Sequence, residues 1–204
     1  YVISSYSSRR LSRSRQVGAV LRVVGLVVLI FSSTMLVPIA AAALLGEPAL
    51  DAFLGGALMT AGAGATTWLG MRHCSAELQP KDGFLLVTLT WCLLPLFAAL
   101  PLLLAMPHLS LTDAYFEASS ALTTTGATVL TGLDRLPVSI NLWRCLLQWI
   151  GGMGLIVLAV AILPLLGIGG RQIFNAESPG PFKESRLTPR IEDTARALWY
   201  VYAG

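Results

Sequence analysis

Long apolar runs alternate with short polar ones along this chain. A bilayer-crossing helix needs about 20 apolar residues, and four runs read that way. The first extends from Val17 to Leu45, with Pro38 placed to kink it and Gly46-Glu47-Pro48 to end it. The second covers Ala52 to Gly70. It carries Gly56, Thr60 and Gly64 at helical spacing, with Ala57, Ala61 and Ala65 beside them. Small residues in that pattern let helix backbones approach closely in lipid. The third covers Phe84 to Ala105 and contains Pro95 and Pro101; the fourth covers Leu142 to Ile168. Residues after Ala197 read as the first turn of a fifth helix.

Composition agrees. Apolar residues make up 55% of the 204 and charged residues 12%, against about 25% charged in a soluble domain. The chain is therefore expected to be an all-α polytopic membrane protein. Its first apolar run is too long for a secretory signal and no small-residue cleavage site follows it. It starts at Tyr1 and stops amid an aromatic-apolar run, which reads as part of a longer protein.

Positive charge orients the spans. Arg9, Arg10, Arg13 and Arg15 precede the first, Arg72 and Lys81 lie between the second and third, and Arg171, Lys183, Arg186, Arg190 and Arg196 follow the fourth. The connection after the first span carries Glu47 and Asp51 and no Lys or Arg. The positive-inside rule puts all three basic segments, and the N-terminus, in the cytoplasm. It also accounts for the basic run Ser7 to Arg15 without a nucleic-acid partner. Trp143 and the Trp199-Tyr200-Tyr202 group are expected in interfacial aromatic belts. Cys92 and Cys145 are expected to pack as small hydrophobes. His73 and His108 are expected at interfaces without partners, and Arg144 to snorkel outward from the fourth span. Asp134 and Arg135 belong to the outer loop surface.

The stretch from Met106 to Asn141 is too polar to cross the bilayer and too apolar to be a plain solvated loop. Ser110-Leu111-Thr112-Asp113 is a helix start, because Ser, Thr and Asp accept bonds from free first-turn N–H groups. Ala114 to Leu122 would add about two and a half turns. Thr123-Thr124-Thr125-Gly126-Ala127-Thr128 would then leave the helix, and Gly132 would allow the turn back. Lipid cannot satisfy free backbone groups, so non-helical backbone at membrane depth is tolerated only against protein or water. Carbonyl oxygens that replace a cation's water shell are one use of such a segment. Gly126 is the expected pivot, since glycine adopts the needed backbone angles freely. The threonines add hydroxyls that can coordinate an ion or bond neighbouring backbone. The short helix would point its partly negative C-terminal end at the path, and Asp113 and Glu117 would add negative potential near its entrance. As a bland alternative, a Thr-rich run with one glycine is also what ordinary turns contain.

These residues resemble a known family. Ala121 to Thr128 is similar to the first filter segment of Trk-type potassium uptake proteins (the TrkH/KtrB/HKT superfamily). Gln148-Trp149-Ile150-Gly151-Gly152-Met153-Gly154 resembles the start of the following helix in the TrkH branch, and Ala176-Glu177-Ser178-Pro179-Gly180-Pro181 the cytoplasmic segment after it. The resemblance implies an extra N-terminal helix pair and then one helix–pore loop–helix repeat of four. The divisions are a basic cytoplasmic tail over 1–16, the helix pair over 17–70, a cytoplasmic loop over 71–82, the first repeat over 83–170, and a cytoplasmic link over 171–204. The pore helix would fall at about 112–122 and the filter at 123–128. The resemblance implies potassium uptake across the bacterial inner membrane, with K+ on the backbone oxygens of Thr124, Thr125, Gly126, Ala127 and Thr128. It further implies no cofactor, a homodimer, and a TrkA-like nucleotide-binding ring as cytoplasmic partner. The chain departs from the family in holding one repeat, so the gate and three filter walls lie elsewhere.

Two readings of other classes stand beside this one. A membrane-embedded enzyme acting at the outer face would have to use Glu117, His108 and Asp113, whose spacing matches no metal or triad motif. A secondary cation transporter would use broken helices at the midplane, but the spans hold no central ionisable pair. Gly151 to Gly154 reads as close helix packing or as a hinge.

Overall fold

A computed structural model describes residues 2–74, 80–162, 197–198 and 200–202. The tail's side chains before Gln16, the loop from 75 to 79 and the segment 163–196 lie outside the described residues. So do the expectations for Arg9 to Arg15, for Lys81, for Arg171 to Arg196, for the Ala176 to Pro181 motif and for Trp199. Among the described residues every regular element is helical. The elements are α1 (Val2–Thr34), α2 (Leu36–Leu45), α3 (Leu50–Gly70), α4 (Pro80–Ala105), α5 (Leu111–Leu122), a single 3-10 turn (Leu133–Arg135) and α6 (Val138–Ile162). Residues 197–198 and 200–202 are helical as well.

The first apolar run is two helices rather than one kinked helix. The break falls at Met35, three residues ahead of Pro38. Pro38 has no N–H to offer Thr34, and its ring crowds that carbonyl, so α1 stops and α2 restarts with proline in its first turn. Gly46, at φ 65°, ends α2. Pro95 and Pro101 stay inside a continuous α4, which membrane helices tolerate when neighbours cover the freed carbonyls.

Among the described residues two stretches are both long and apolar enough to cross a membrane, Gln16–Leu45 and Asp82–Ala105. At 21 residues, α3 is about 30 Å long and so reaches across a hydrocarbon core. Its Gly, Ala and Thr content makes it less apolar than the other two. Those small residues serve contact instead. A Cβ at Gly64 would lie 2.6 Å from Leu29 N and 2.9 Å from Gly25 O, so the backbones of α1 and α3 touch. A Cβ at Gly56 would lie 2.8 Å from the ring of Pro101, which fills the gap in α4's favour. Buried Thr60 turns its hydroxyl onto Gly56 O of its own helix at 2.7 Å.

The core sits where α1, α3, α4 and α6 meet, around Phe31, Met35, Phe53, Ala98, Leu102, Trp143 and Leu147. Trp143 is wholly buried, which overturns its expected place in an interfacial belt. Its ring packs edge-on to Phe53 and tilted to Phe31. The indole N–H donates to Ala98 O at 3.0 Å, satisfying the one polar atom that drew it toward an interface in the sequence reading. Cys92 and Cys145 do not pack inside; both are exposed on the chain's outer surface. His108 is exposed, but His73 has a partner, accepting from Arg72 Nε at 3.0 Å.

Besides the packing around Trp143, hydrogen bonds from one carboxylate tie the N-terminal helices to α6. Glu47, in the turn after α2, accepts from Val138 N at 2.7 Å, from Ser139 N at 3.0 Å and from Ser139 Oγ. Those two N–H groups open α6 and have no partner within it. Burial raises the Glu47 pKa, but the hydrogen bonds from Ser139 and Val138 outweigh it and hold the carboxyl below its ordinary value.

Candidate functional site

Helix α5 begins as its sequence predicts. Ser110 Oγ accepts from Asp113 N at 3.1 Å and donates to Asp113 Oδ2 at 2.7 Å, a reciprocal cap. Asp113 is thus occupied in the first turn, about 15 Å along the axis from the threonine run. The structure does not bring it to that run.

The far end of α5 departs from the usual pattern. Thr125 N bonds Ser120 O at 2.9 Å and Thr124 N bonds Ala121 O at 3.0 Å. This is the Schellman ending, whose left-handed position usually holds glycine. Here Thr124 holds it, at φ 57°. A β-branched residue there is uncommon and stores on the order of 1–3 kcal/mol of strain. Gly126, the expected pivot, does sit at φ 74°, whereas nothing in the local pattern marks Thr124 as left-handed. Gly132, at φ 66°, makes the return turn as expected.

From Thr125 to Thr131 the backbone is neither helix nor strand, and Thr123 to Thr128 are all exposed. The segment is held from one side. Ser120 Oγ donates to Ala127 O at 2.6 Å. Glu117 Oε2 accepts from Val129 N at 3.1 Å, and both Glu117 oxygens lie within 3.0 Å of Thr128 Oγ1. Thr123 Oγ1 lies 2.8 Å from Thr125 Oγ1 and bonds back to Ser119 O. Two of the proposed ligands are therefore partly committed: the Ala127 oxygen faces α5, and the Thr128 hydroxyl faces Glu117.

Glu117 itself is not a free charge at an entrance. Its side chain is 2% exposed and pairs with Arg144 Nε at 2.6 Å. Arg144, 14% exposed, turns inward rather than snorkelling outward. Its Nη1 also reaches Asn141 Oδ1 at 3.5 Å. Ser120 and Arg144 are site residues that the sequence reading did not assign. Asp134 and Arg135 lie on the surface as predicted, 4.0 Å apart.

Helix α6 comes against the end of α5 through glycine. A Cβ at Gly151 would lie 1.8 Å from Leu122 O, so that carbonyl rests on α6 backbone. A Cβ at Gly152 would meet the Tyr202 hydroxyl at 2.3 Å and Thr124 at 3.6 Å, and Tyr202 stacks on Trp149. Close packing is thus what these two glycines provide. Among the described residues no group of three His, Cys, Asp or Glu could hold a metal, and no buried side-chain polar atom lacks a partner.

Apolar helices packed through glycine, two of them long enough to cross a bilayer, define a helical membrane protein. A family model described as TrkH, cation transport protein, matches residues 49–204. The chain belongs to that family of membrane proteins. It is 52% identical over 185 residues to the Trk system potassium uptake protein TrkH of Halomonas elongata, an alignment spanning 90% of this chain and 38% of that one. It is 51% identical over 188 residues to the protein of the same name from Vibrio parahaemolyticus, covering 92% and 39%. It also matches the crystal structure of the potassium transporter TrkH from Vibrio parahaemolyticus with a TM-score of 0.76 at 46% identity, over 92% of this chain and 37% of that chain. The chain thus spans about two-fifths of the length of its relatives, which are named for potassium uptake rather than for an enzyme activity.

Proposed function

We propose that this chain supplies one wall of a potassium path, in a protein that takes up K+ across the bacterial inner membrane. On this reading α4, α5 with its trailing segment, and α6 form the first of four repeats, and α1 to α3 form the preceding pair of spans. The observation that carries it is the exposed, non-helical Thr123 to Thr128 strip at the negative end of α5. Peptide oxygens there are free of any helix ladder and can exchange with an ion's water shell. Thr124, Thr125, Gly126 and Thr128 carry the path. Ala127 contributes less, because its oxygen already accepts from Ser120. The N-terminus is cytoplasmic, and the partners are a second copy of the full-length protein and a nucleotide-binding regulatory ring.

The enzyme reading loses support because two of its three candidates are occupied and the third is exposed. Glu117 is buried in an ion pair, Asp113 closes a helix cap and His108 is exposed. Potassium-dependent growth of an uptake-deficient strain carrying the full-length protein tests the proposal. Gly126→Ser forces a side chain onto a left-handed residue, at a cost of about 1–2 kcal/mol, and is expected to impair uptake and potassium preference. Unchanged uptake and selectivity in that variant would remove the ion path from this segment.

A further inference from the structure

We propose that Glu117 and Arg144 are positioning residues of this path: their ion pair fixes Thr128 and Val129, and through them the spacing of the oxygens before them. The inference rests on reading Thr124 to Thr128 as the ion path. Three donors converge on one carboxylate. Arg144 Nε reaches Oε1 at 2.6 Å, Val129 N reaches Oε2 at 3.1 Å, and Thr128 Oγ1 lies at 3.0 and 2.9 Å from the two oxygens. Thr128 Oγ1 in turn accepts from Leu130 N at 3.1 Å, so its proton is the one directed at Glu117. A site ringed by donors needs a group that only accepts, and among side chains that is an ionised carboxylate.

The same residues join three elements. Glu117 lies on α5, Arg144 on α6, and Thr128 on the strip between them. A rigid link from both flanking helices to the last residues of the strip is what holds carbonyls at fixed separation. Thermal motion of the strip would otherwise average their positions. Burial adds to the effect, since a charge-assisted bond shielded from water is stronger than an exposed one. The Ser120 bond to Ala127 O fixes the middle of the strip in the same way, without charge.

Glutamine matches the shape of glutamate but not its demand. One face of its amide presents N–H to Arg144, Thr128 or Val129, and at least one of the three contacts becomes donor against donor. In full-length protein at matched membrane abundance, Glu117→Gln is expected to lower K+ over Na+ discrimination about tenfold or more. Thr128→Val, which removes the hydroxyl that donates to Glu117 and accepts from Leu130 N, is expected to shift selectivity in the same direction. The two combined should be no worse than the more damaging single change, because both cut one link. Arg144→Gln is expected to resemble Glu117→Gln, with the double Glu117→Gln/Arg144→Gln less impaired than the product of the singles.

Radiotracer rubidium uptake with sodium competition reads these effects, and Gly126→Ser runs beside them. If Gly126→Ser alters selectivity while Glu117→Gln and Thr128→Val leave it at the wild-type ratio, the positioning role is wrong and the path stands. If all of them leave selectivity unchanged, the path itself is wrong. If Glu117→Gln does not reach the membrane, Thr128→Val and the Glu117→Gln/Arg144→Gln double decide. Wild-type discrimination in Thr128→Val, or in the double, overturns the positioning role.

Discussion

Replacing Gly151 by alanine is a one-carbon change aimed at the contact between α6 and the end of α5. The new Cβ would start 1.8 Å from Leu122 O, 2.6 Å from its carbon and 3.0 Å from its Cα. All three neighbours are backbone, so no side chain can rotate away. The Cβ to oxygen distance must grow from 1.8 Å to at least 3.0 Å, which moves α5 or α6 bodily by more than an ångström. Overpacking of this kind costs about 1–3 kcal/mol, and rigid partners on both sides put the expected value at the upper end. The displacement also carries function, because Leu122 is the last residue of α5 and Thr123 follows it into the strip. A shift of about 1 Å at a reacting centre can cost on the order of a hundredfold, and a loss of tenfold or more in uptake is expected here. The control is Gly62→Ala on α3, where an added Cβ meets nothing within 4 Å. Thermal stability of the detergent-solubilised full-length protein and rubidium uptake at matched abundance form the assay. Should Gly151→Ala match Gly62→Ala in both measurements, the contact between these helices is not the close junction described, and the strip is not positioned through it.

Two further outcomes follow from the strained and capped positions. Thr124→Gly relieves the left-handed strain at φ 57° and is expected to raise thermal stability by about 1 kcal/mol while lowering uptake, because a freer backbone orders the strip less; lower stability in this variant would show that Thr124 is not strained. Glu47→Gln is expected to weaken the start of α6 by about 1 kcal/mol near neutral pH. Because hydrogen bonds from Ser139 and Val138 lower the Glu47 pKa in the folded chain, its contribution is full above the ordinary carboxylate value and disappears as pH falls through the lower, folded one. Melting temperatures of wild type and variant should therefore converge in acid, and a gap that stays constant with pH would contradict the assignment.

Local signals that depend on near neighbours were readable in the chain. The Ser110 cap, the helix that follows it, the left-handed Gly132 and the small-residue faces of α3 and α6 each rest on a few adjacent residues with one physical solution. What escaped the pattern depends on residues far apart in sequence. Trp143 reads as interfacial until Ala98 O, Phe31 and Phe53 surround it. Arg144 reads as a snorkelling cation until Glu117 supplies a buried partner. Glu47 reads as a loop charge until α6 presents its opening N–H groups. In all three the polar atom was visible and its partner was not, since hydrophobic periodicity reports which face of a helix is inside but not which distant donor meets it.

Thr124 is a different kind of miss, and a more informative one. Helix-ending rules put glycine at the left-handed position, and a sequence chosen for stability alone would have it there. The chain instead sets a β-branched residue in that place, with Gly126 two residues on. A local rule broken at an exposed residue marks a position where something other than stability is served. The proposed ion-lining role of the strip gives that reason. A threonine locked in the left-handed region has one conformation available, whereas glycine has several, and a row of oxygens that must stay at one separation benefits from the stiffer residue. The strain at Thr124, the Ser120 bond to Ala127 and the Glu117–Arg144 pair behind Thr128 then act together. Each removes freedom from a different residue of the same strip, and none of them adds a contact on its exposed face.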